Sequence, residues 1–378
     1  MLYLLLLAAS LVPTSVFAQS CNATSLCGAS APCCSEYGFC GTGTYCLGGC
    51  NPIYSHSMTS CEPSPICQDK TASSFAFDIQ YTFKDDSRII NSTLYNGNAS
   101  AYDFTLDNGA IYNLNSSIGE VALLLTQTNG GTRLSTTRYI QYGKVTARLK
   151  TSKWAGVVTA FITMSDVKDE VDWEWPGANT TQAQSNFFWL GNVDYTSTNG
   201  QKDSISNDSY SNYHDYTINW QENQLEFSID GVVVRSVKKT DTLDPSGVPE
   251  YPTTPARVQL SIWPAGINTS APGTVQWAGG MIDWSDPDYT AAGGHFAVVI
   301  NSLTVQCGSS SNTTVPNTPR SYVYSGNNTQ GVPQAYISNA TTILNSGAVA
   351  SRLAVKSTTL WAGSLAASAL ALTMLFFA

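Results

Sequence analysis

The chain has 378 residues, 43% of them apolar and only 12% charged, with 18 basic against 27 acidic side chains and a net charge of −9. That balance excludes a simple electrostatic binder of nucleic acid, because nothing would neutralise phosphates. With 19 Tyr, 13 Phe and 9 Trp it also excludes disorder over most of the chain, and the length allows one large domain and a small one.

In chain order, residues 1–18 come first. They hold an apolar run from Leu2 to Leu7 and finish Val16-Phe17-Ala18, a small-residue cleavage pattern. They read as a signal peptide, although no Lys or Arg precedes the run.

Eight cysteines follow between 21 and 61, and only Cys67 and Cys307 remain. Such density in a secreted chain means a disulfide-stapled module too small to hold itself by burial. Zinc is the alternative, but no CxxC pair or His ligand set supports it. The run Cys33-Cys34-Ser35-Glu36-Tyr37-Gly38-Phe39-Cys40-Gly41-Thr42-Gly43-Thr44-Tyr45-Cys46 resembles the hevein-type chitin-binding module, carbohydrate-binding module family 18. Cys61 falls later than that family usually places its last cysteine. The resemblance implies the pairs Cys21–Cys34, Cys27–Cys40, Cys33–Cys46 and Cys50–Cys61, which leaves Cys67 to pair with Cys307. It also places Ser35, Tyr37, Phe39 and Tyr45 on sugar-binding positions. Flat aromatic faces suit the C–H surface of a sugar, and Ser35 can bond an N-acetyl carbonyl. The bland reading is that these aromatics cover the disulfides, but so small a module must leave several exposed.

From about 70 to 307 the pattern is repeated strands, expected at 139–149, 156–164, 170–175, 186–190, 216–220, 224–229, 232–236, 257–263 and 296–305. Asp230-Gly231 between two of them is a hairpin signal. Many short strands in one domain predict an all-β sandwich.

The chemistry concentrates in Asp169-Glu170-Val171-Asp172-Trp173-Glu174-Trp175. In a strand, alternation puts Glu170, Asp172 and Glu174 on one face and Val171, Trp173 and Trp175 in a core. A solvated acidic face is the plain alternative, yet like charges in a row repel. Calcium is a further alternative, although hard cations usually take loop oxygens. The two glutamates, roughly 13 Å apart at Cα, lean together only if their long side chains converge, as a retaining glycosidase requires.

This segment resembles the ExDxE strand of glycoside hydrolase family 16, a β-jelly-roll sandwich. Residues 156–165, Ile262-Trp263-Pro264-Ala265-Gly266 and Gly273-Thr274-Val275-Gln276-Trp277-Ala278-Gly279-Gly280 further resemble Crh-type fungal cell-wall transglycosylases. Those enzymes join chitin to β-glucan, and some carry a hevein-type module. Pro176 directly after the acidic strand is a departure, although it can simply end the strand. The resemblance implies Glu170 as nucleophile, Glu174 as proton donor and then base, and Asp172 as auxiliary between them. Arg257, Gln259 and Trp263 share a strand face, and with Thr274 and Glu174 they match the family's substrate contacts, Trp263 as a stacking platform. Arg257 has the alternative of pairing with an acidic neighbour, and Trp263 that of a core aromatic.

The implied partners are chitin, as donor and anchor, and a β-glucan acceptor, for a monomer without cofactor, metal or nucleic acid. A retaining chitinase or glucanase is the alternative, and a noncatalytic chitin-binding wall protein a weaker one, since it has no need of the acidic strand. The hevein-type module (19–66) is expected to bind chitin separately from catalysis by the family 16 domain (67–307).

Residues 308–345 are rich in Ser, Thr, Asn and Pro, with Arg320 as the sole charge, and read as a glycosylated stalk without a core. Beyond it, Asn345-Ser346-Gly347, a polar spacer over 348–359 and the uncharged segment 360–378 form a glycosylphosphatidylinositol signal, with Asn345 carrying the lipid and 346–378 removed. A membrane span is the alternative for 360–378. Ten N-x-S/T sequons agree with secretion to the cell surface and wall, held to the plasma membrane by that lipid.

Overall fold

The computed structural model describes residues 19–67, 78–192, 199–308, 320–329 and 331–344. The segment 1–18, the Asn312 sequon, Asn345 and the segment 346–378 lie outside the described residues.

Two eight-stranded sheets form a jelly-roll sandwich. The acid-bearing sheet runs Gln201–Ser204, Gln182–Phe188, Glu170–Pro176, Val157–Ser165, Ala256–Pro264, Thr132–Ile140, Phe104–Asn108 and Ile89–Asn91. The second sheet is centred on Gly143–Lys150 and Phe296–Cys307. Alternation sends Val171, Trp173 and Trp175 between the sheets, where none is more than 1% exposed. Trp173 meets Phe227 edge-on at 5.3 Å, Trp175 meets Tyr216 at 4.4 Å, and the Trp173 indole donates to the Thr217 carbonyl. This aromatic layer fixes the acidic strand, since truncating either indole to Ala costs about 3–5 kcal/mol.

The Asp230-Gly231 turn joins Gln224–Ile229 to Val232–Lys238 with φ of 50° and 82°, the left-handed pair a tight hairpin requires. The single strand expected over 139–149 is instead two. Tyr142 and Gly143 take φ of 64° and 129°, and there the chain leaves Thr132–Ile140 in one sheet and starts Gly143–Lys150 in the other. Period-two alternation runs through both strands and does not register the change of sheet.

The expected stalk is corrected over 320–344. Ser321–Asn327 and Pro333–Ser338 form a hairpin that pairs with the linker strand Ser64–Pro65. Tyr322 packs with Ile66 and Tyr139, and Leu344 with Leu47 and Tyr95. A few apolar residues spaced along a Ser/Thr/Asn-rich run suffice, because the domain supplies the other half of each contact.

The disulfides are Cys21–Cys34, Cys27–Cys40, Cys33–Cys46, Cys50–Cys61 and Cys67–Cys307. The first four staple the N-terminal module, which is seated directly on the sandwich. Glu36 receives Arg133 at 2.5 Å and Arg257 at 3.2 Å, and the Gly49 N–H donates to Asp166 Oδ1 at 2.9 Å and Tyr139 Oη at 3.1 Å. Gly48 and Gly49 make this approach possible: a Cβ on Gly48 would lie 2.9 Å from the Arg257 guanidinium, and one on Gly49 2.8 Å from Glu36.

Candidate active site

The register of the acid-bearing sheet sets side chains in rows on one face. Glu170 stands opposite Met164, which faces Arg257; Asp172 opposite Ile162, which faces Gln259; Glu174 opposite Ala160, which faces Ser261. On the other side the same carboxyls face Phe188, Asn186 and Gln184. Neighbouring strands lie about 4.8 Å apart, so Gln259 and Arg257 stand roughly 10 Å from Asp172 and Glu170 at the backbone.

The acidic row is not a solvated face. Asp172 is fully buried, Glu174 is 8% exposed, and neither Asp172 oxygen has a hydrogen-bond partner among the neutral or basic groups of the site. Burial raises all three carboxyls. Asp172 rises furthest out of the usual range, through burial and then the charges of Glu170 and Glu174 on either side. Glu170 is raised by burial but restrained by its hydrogen bond with Asp172 and by the Lys168 ammonium. Glu174 is pushed up to about 8 by burial and the charge of Glu170, against a lowering hydrogen bond from Trp263. Glu174, raised to about 8, thus keeps acid character at neutral pH, beside an Asp172–Glu170 pair whose carboxyls are hydrogen-bonded and both raised, all on one strand.

Two expected contacts are placed differently. Arg257 is 4% exposed and its guanidinium is committed to Glu36 of the N-terminal module, so it holds the module and does not reach into an open cleft. Trp263 is 4% exposed, packed on Val158, Ala160 and Ala278, and covered by Trp277 in a stack with centroids 6.0 Å apart. A sugar cannot lie on a face already occupied; the half-buried indole offered to ligand is that of Trp277, whose Nε1 donates to Gln184 at 2.8 Å. Gln259 stays on the acid face, buried, with an amide nitrogen that has no partner. Thr274 is half-buried on the short helix Pro272–Trp277, which delivers Trp277.

Sequence reasoning passed over Lys168, Gln184 and Asn186. The alternation Gln182, Gln184, Asn186 along one face was the available signal for the last two; their register against the carboxylates is not written in the sequence. Lys168 sits in the turn before the acidic strand with φ of 70°, and only the fold brings it to both Glu36 and Glu170.

Ser35, Phe39 and Tyr45 of the module are half-buried, Tyr37 is exposed, and the Arg133 guanidinium lies over the Tyr37 ring at 5.8 Å and donates to its hydroxyl at 3.1 Å. The four residues are turned toward the sandwich, where they line a cavity shared with it. The expected independence of the two modules fails on this point, because the seat is built from the same loop that carries the aromatics.

Residues 98–279 match glycosyl hydrolases family 16. Crh-like protein 2 of Aspergillus fumigatus is 42% identical over 313 residues, covering 80% of this chain and 66% of the relative. Crh-like protein 3 of Botryotinia fuckeliana is 39% identical over 316 residues, covering 83% and 67%. The chain belongs to glycosyl hydrolase family 16, among its Crh-like members. It spans about two thirds of the length of these curated relatives. The solved structure of Crh5 transglycosylase in complex with NAG superimposes on this family 16 chain with a TM-score of 0.56 at 26% identity, covering 73% of this chain and 95% of that one.

Proposed function

We propose that this protein is a retaining transglycosylase that cleaves chitin and transfers the released chain to β-glucan in the cell wall. The observation that carries the reading is the acidic row, three carboxyls on one strand face, Asp172 and Glu174 buried and Glu170 half-buried, with Glu174 pushed up to about 8. In the first step the Glu170 carboxylate attacks the anomeric carbon. The glycosidic C–O bond breaks as Glu174 gives its proton to the departing oxygen. In the second, the Glu174 carboxylate takes the proton of the acceptor hydroxyl, whose oxygen displaces Glu170. Two inversions retain the configuration. Asp172 holds Glu170 in place through their hydrogen bond, and the charge that Glu170 regains on release of the sugar raises Glu174 so that it carries a proton again.

Trp277 supplies the sugar-stacking surface beside Glu174, with Trp263 behind it, while Gln259 and Gln184 offer amide groups to sugar hydroxyls. The chitin donor is supported by the hevein-type module and by the likeness to a transglycosylase captured with NAG. The signal pattern at 1–18, the exposure of Asn22, Asn91, Asn115, Asn179, Asn207 and Asn268, and the Asn345-Ser346-Gly347 triplet support a glycoprotein of the cell wall, lipid-anchored at Asn345. Release from intact cells by phosphatidylinositol-specific phospholipase tests the anchor, and recovery of peptide 360–378 from the mature protein contradicts it.

The deciding experiment gives purified protein chitin oligomers with and without a fluorescent β-glucan oligomer. Fluorescence moving into chitin-bearing products supports transfer. Shortened chitin with no labelled product at any acceptor concentration makes the protein a hydrolase.

A further inference from the structure

Between the N-terminal module and the sandwich lies a cavity of about 230 Å³, far beyond the ~10–15 Å³ that a single water requires. Both partners build its walls: Tyr37, Phe39 and Tyr45 from the module, Ser92, Thr93 and Tyr95 from the sandwich. The charges of this boundary are largely spent on one another. Glu36 takes Arg133 and Arg257, and Asp107 accepts from Arg133 Nε at 2.9 Å. Flat aromatic surface, the apolar Leu47, Pro63 and Pro65, and neutral hydroxyls remain, with Glu62 as one further acceptor. That lining suits no free ion; it suits an uncharged ring with C–H faces and a rim of hydroxyls.

One group is left waiting. Tyr95 is 5% exposed, lines the cavity, and its hydroxyl makes no close hydrogen bond; its nearest polar neighbour, Thr137, gives its own proton to the Tyr102 carbonyl at 2.8 Å and offers at most a weak acceptor. Buried hydroxyls are rarely left so, because the desolvation is not recovered. A ligand hydroxyl or amide entering the cavity would satisfy it.

We propose that this cavity is a composite saccharide site, which takes one N-acetylhexosamine unit of the chitin chain between the module's aromatic face and the Tyr95 rim. The proposal rests on the chitin reading and deepens it: module and sandwich grip one chain together. Arg257, on the cavity wall, belongs to the row Arg257–Met164–Glu170, two strands from the nucleophile. A chain held in the cavity therefore lies at one end of the acidic face, and the module serves as a fixed subsite of the enzyme and not as a tethered anchor.

The test is calorimetric binding of a chitin tetramer to the full chain carrying Glu174→Gln, which holds substrate without turning it over. Adding Tyr95→Phe removes only the hydroxyl, so the fold loses no close hydrogen bond and the melting temperature serves as control. The tetramer should bind about five-fold more weakly, the weight of one ordinary hydrogen bond, and Tyr45→Ala should weaken the same binding event. Unchanged affinity in Tyr95→Phe, with loss in Tyr45→Ala, overturns the composite site, since the module then binds sugar without the sandwich. If the parent Glu174→Gln protein binds no chitin oligomer at all, the chitin reading itself falls, and this site with it.

Discussion

Two clusters of buried charge share one face of the same sheet, two strands apart, and they are built on opposite principles. Around Glu36 every charge has a partner: Arg133 bridges Glu36 and Asp107, and Arg257 closes the group. Burial alone would push Glu36 up, but the two guanidiniums and Lys168 bring it below the usual carboxylate range. Around Asp172 the like charges are stacked along one strand, with the Lys168 ammonium acting on Glu170, and all three carboxyls rise. Pairing makes the first cluster a clasp. Withheld pairing makes the second a proton store, which is what acid–base chemistry at neutral pH needs.

The comparison breaks first at the acids. Glu170→Gln should lower turnover by about 10⁴-fold or more, whatever the leaving group, because no covalent intermediate forms; steady-state rates check it. Glu174→Gln should cost about 10²–10⁴-fold on chitin oligomers, yet a donor with an activated leaving group should still load the enzyme. Added azide, which needs no base, should then restore turnover with retained configuration, and an inverted product would assign the roles the other way.

The clasp is tested by stability. Glu36→Ala strands the buried Arg257 guanidinium and leaves Arg133 with Asp107 alone, and should destabilise the protein by about 3 kcal/mol in denaturant unfolding. A loss below about 0.5 kcal/mol would mean that the ion pairs do not hold the module. The two clusters should also separate in pH. Glu36, depressed in the fold, contributes stability above its unfolded value of about 4.5 and loses it as pH falls through the lower folded value. Glu174, raised to about 8, favours the fold fully below about 4.5 and less with each step toward 8. Denaturation midpoints across pH 3–9 should therefore fall toward both ends in the wild type. Glu36→Ala should flatten the acid limb alone. The smallest effect belongs to the aromatic surface, where Trp277→Ala should weaken oligomer binding about five-fold, near 1 kcal/mol for one stacked ring.

The contrast between the clusters also divides what was legible in the sequence. The acidic strand was, because alternation in Glu170–Trp175 is local and the core face declares itself in Trp173 and Trp175. The clasp was not, since it joins residue 36 to residues 133 and 257 through a docking geometry that no spacing encodes. Trp263 misled for a related reason: its strand face was right, but the layer above it comes from Trp277 on a helix 14 residues later. Hairpin 321–338 hid because its composition is that of a linker and its partner strand, Ser64–Pro65, lies at the other end of the domain.

The central claim is that the unpaired row supplies a nucleophile at Glu170 and an acid at Glu174. It is tested most directly by rapid quench of Glu174→Gln with an activated aryl chitin-oligomer donor, followed by peptide mass spectrometry. The account predicts the glycosyl mass, the donor's less its aryl alcohol, on the peptide at Glu170, accumulating because deglycosylation lacks its base. The glycosyl mass on any other residue, or an unlabelled protein that still releases aryl alcohol, would contradict it.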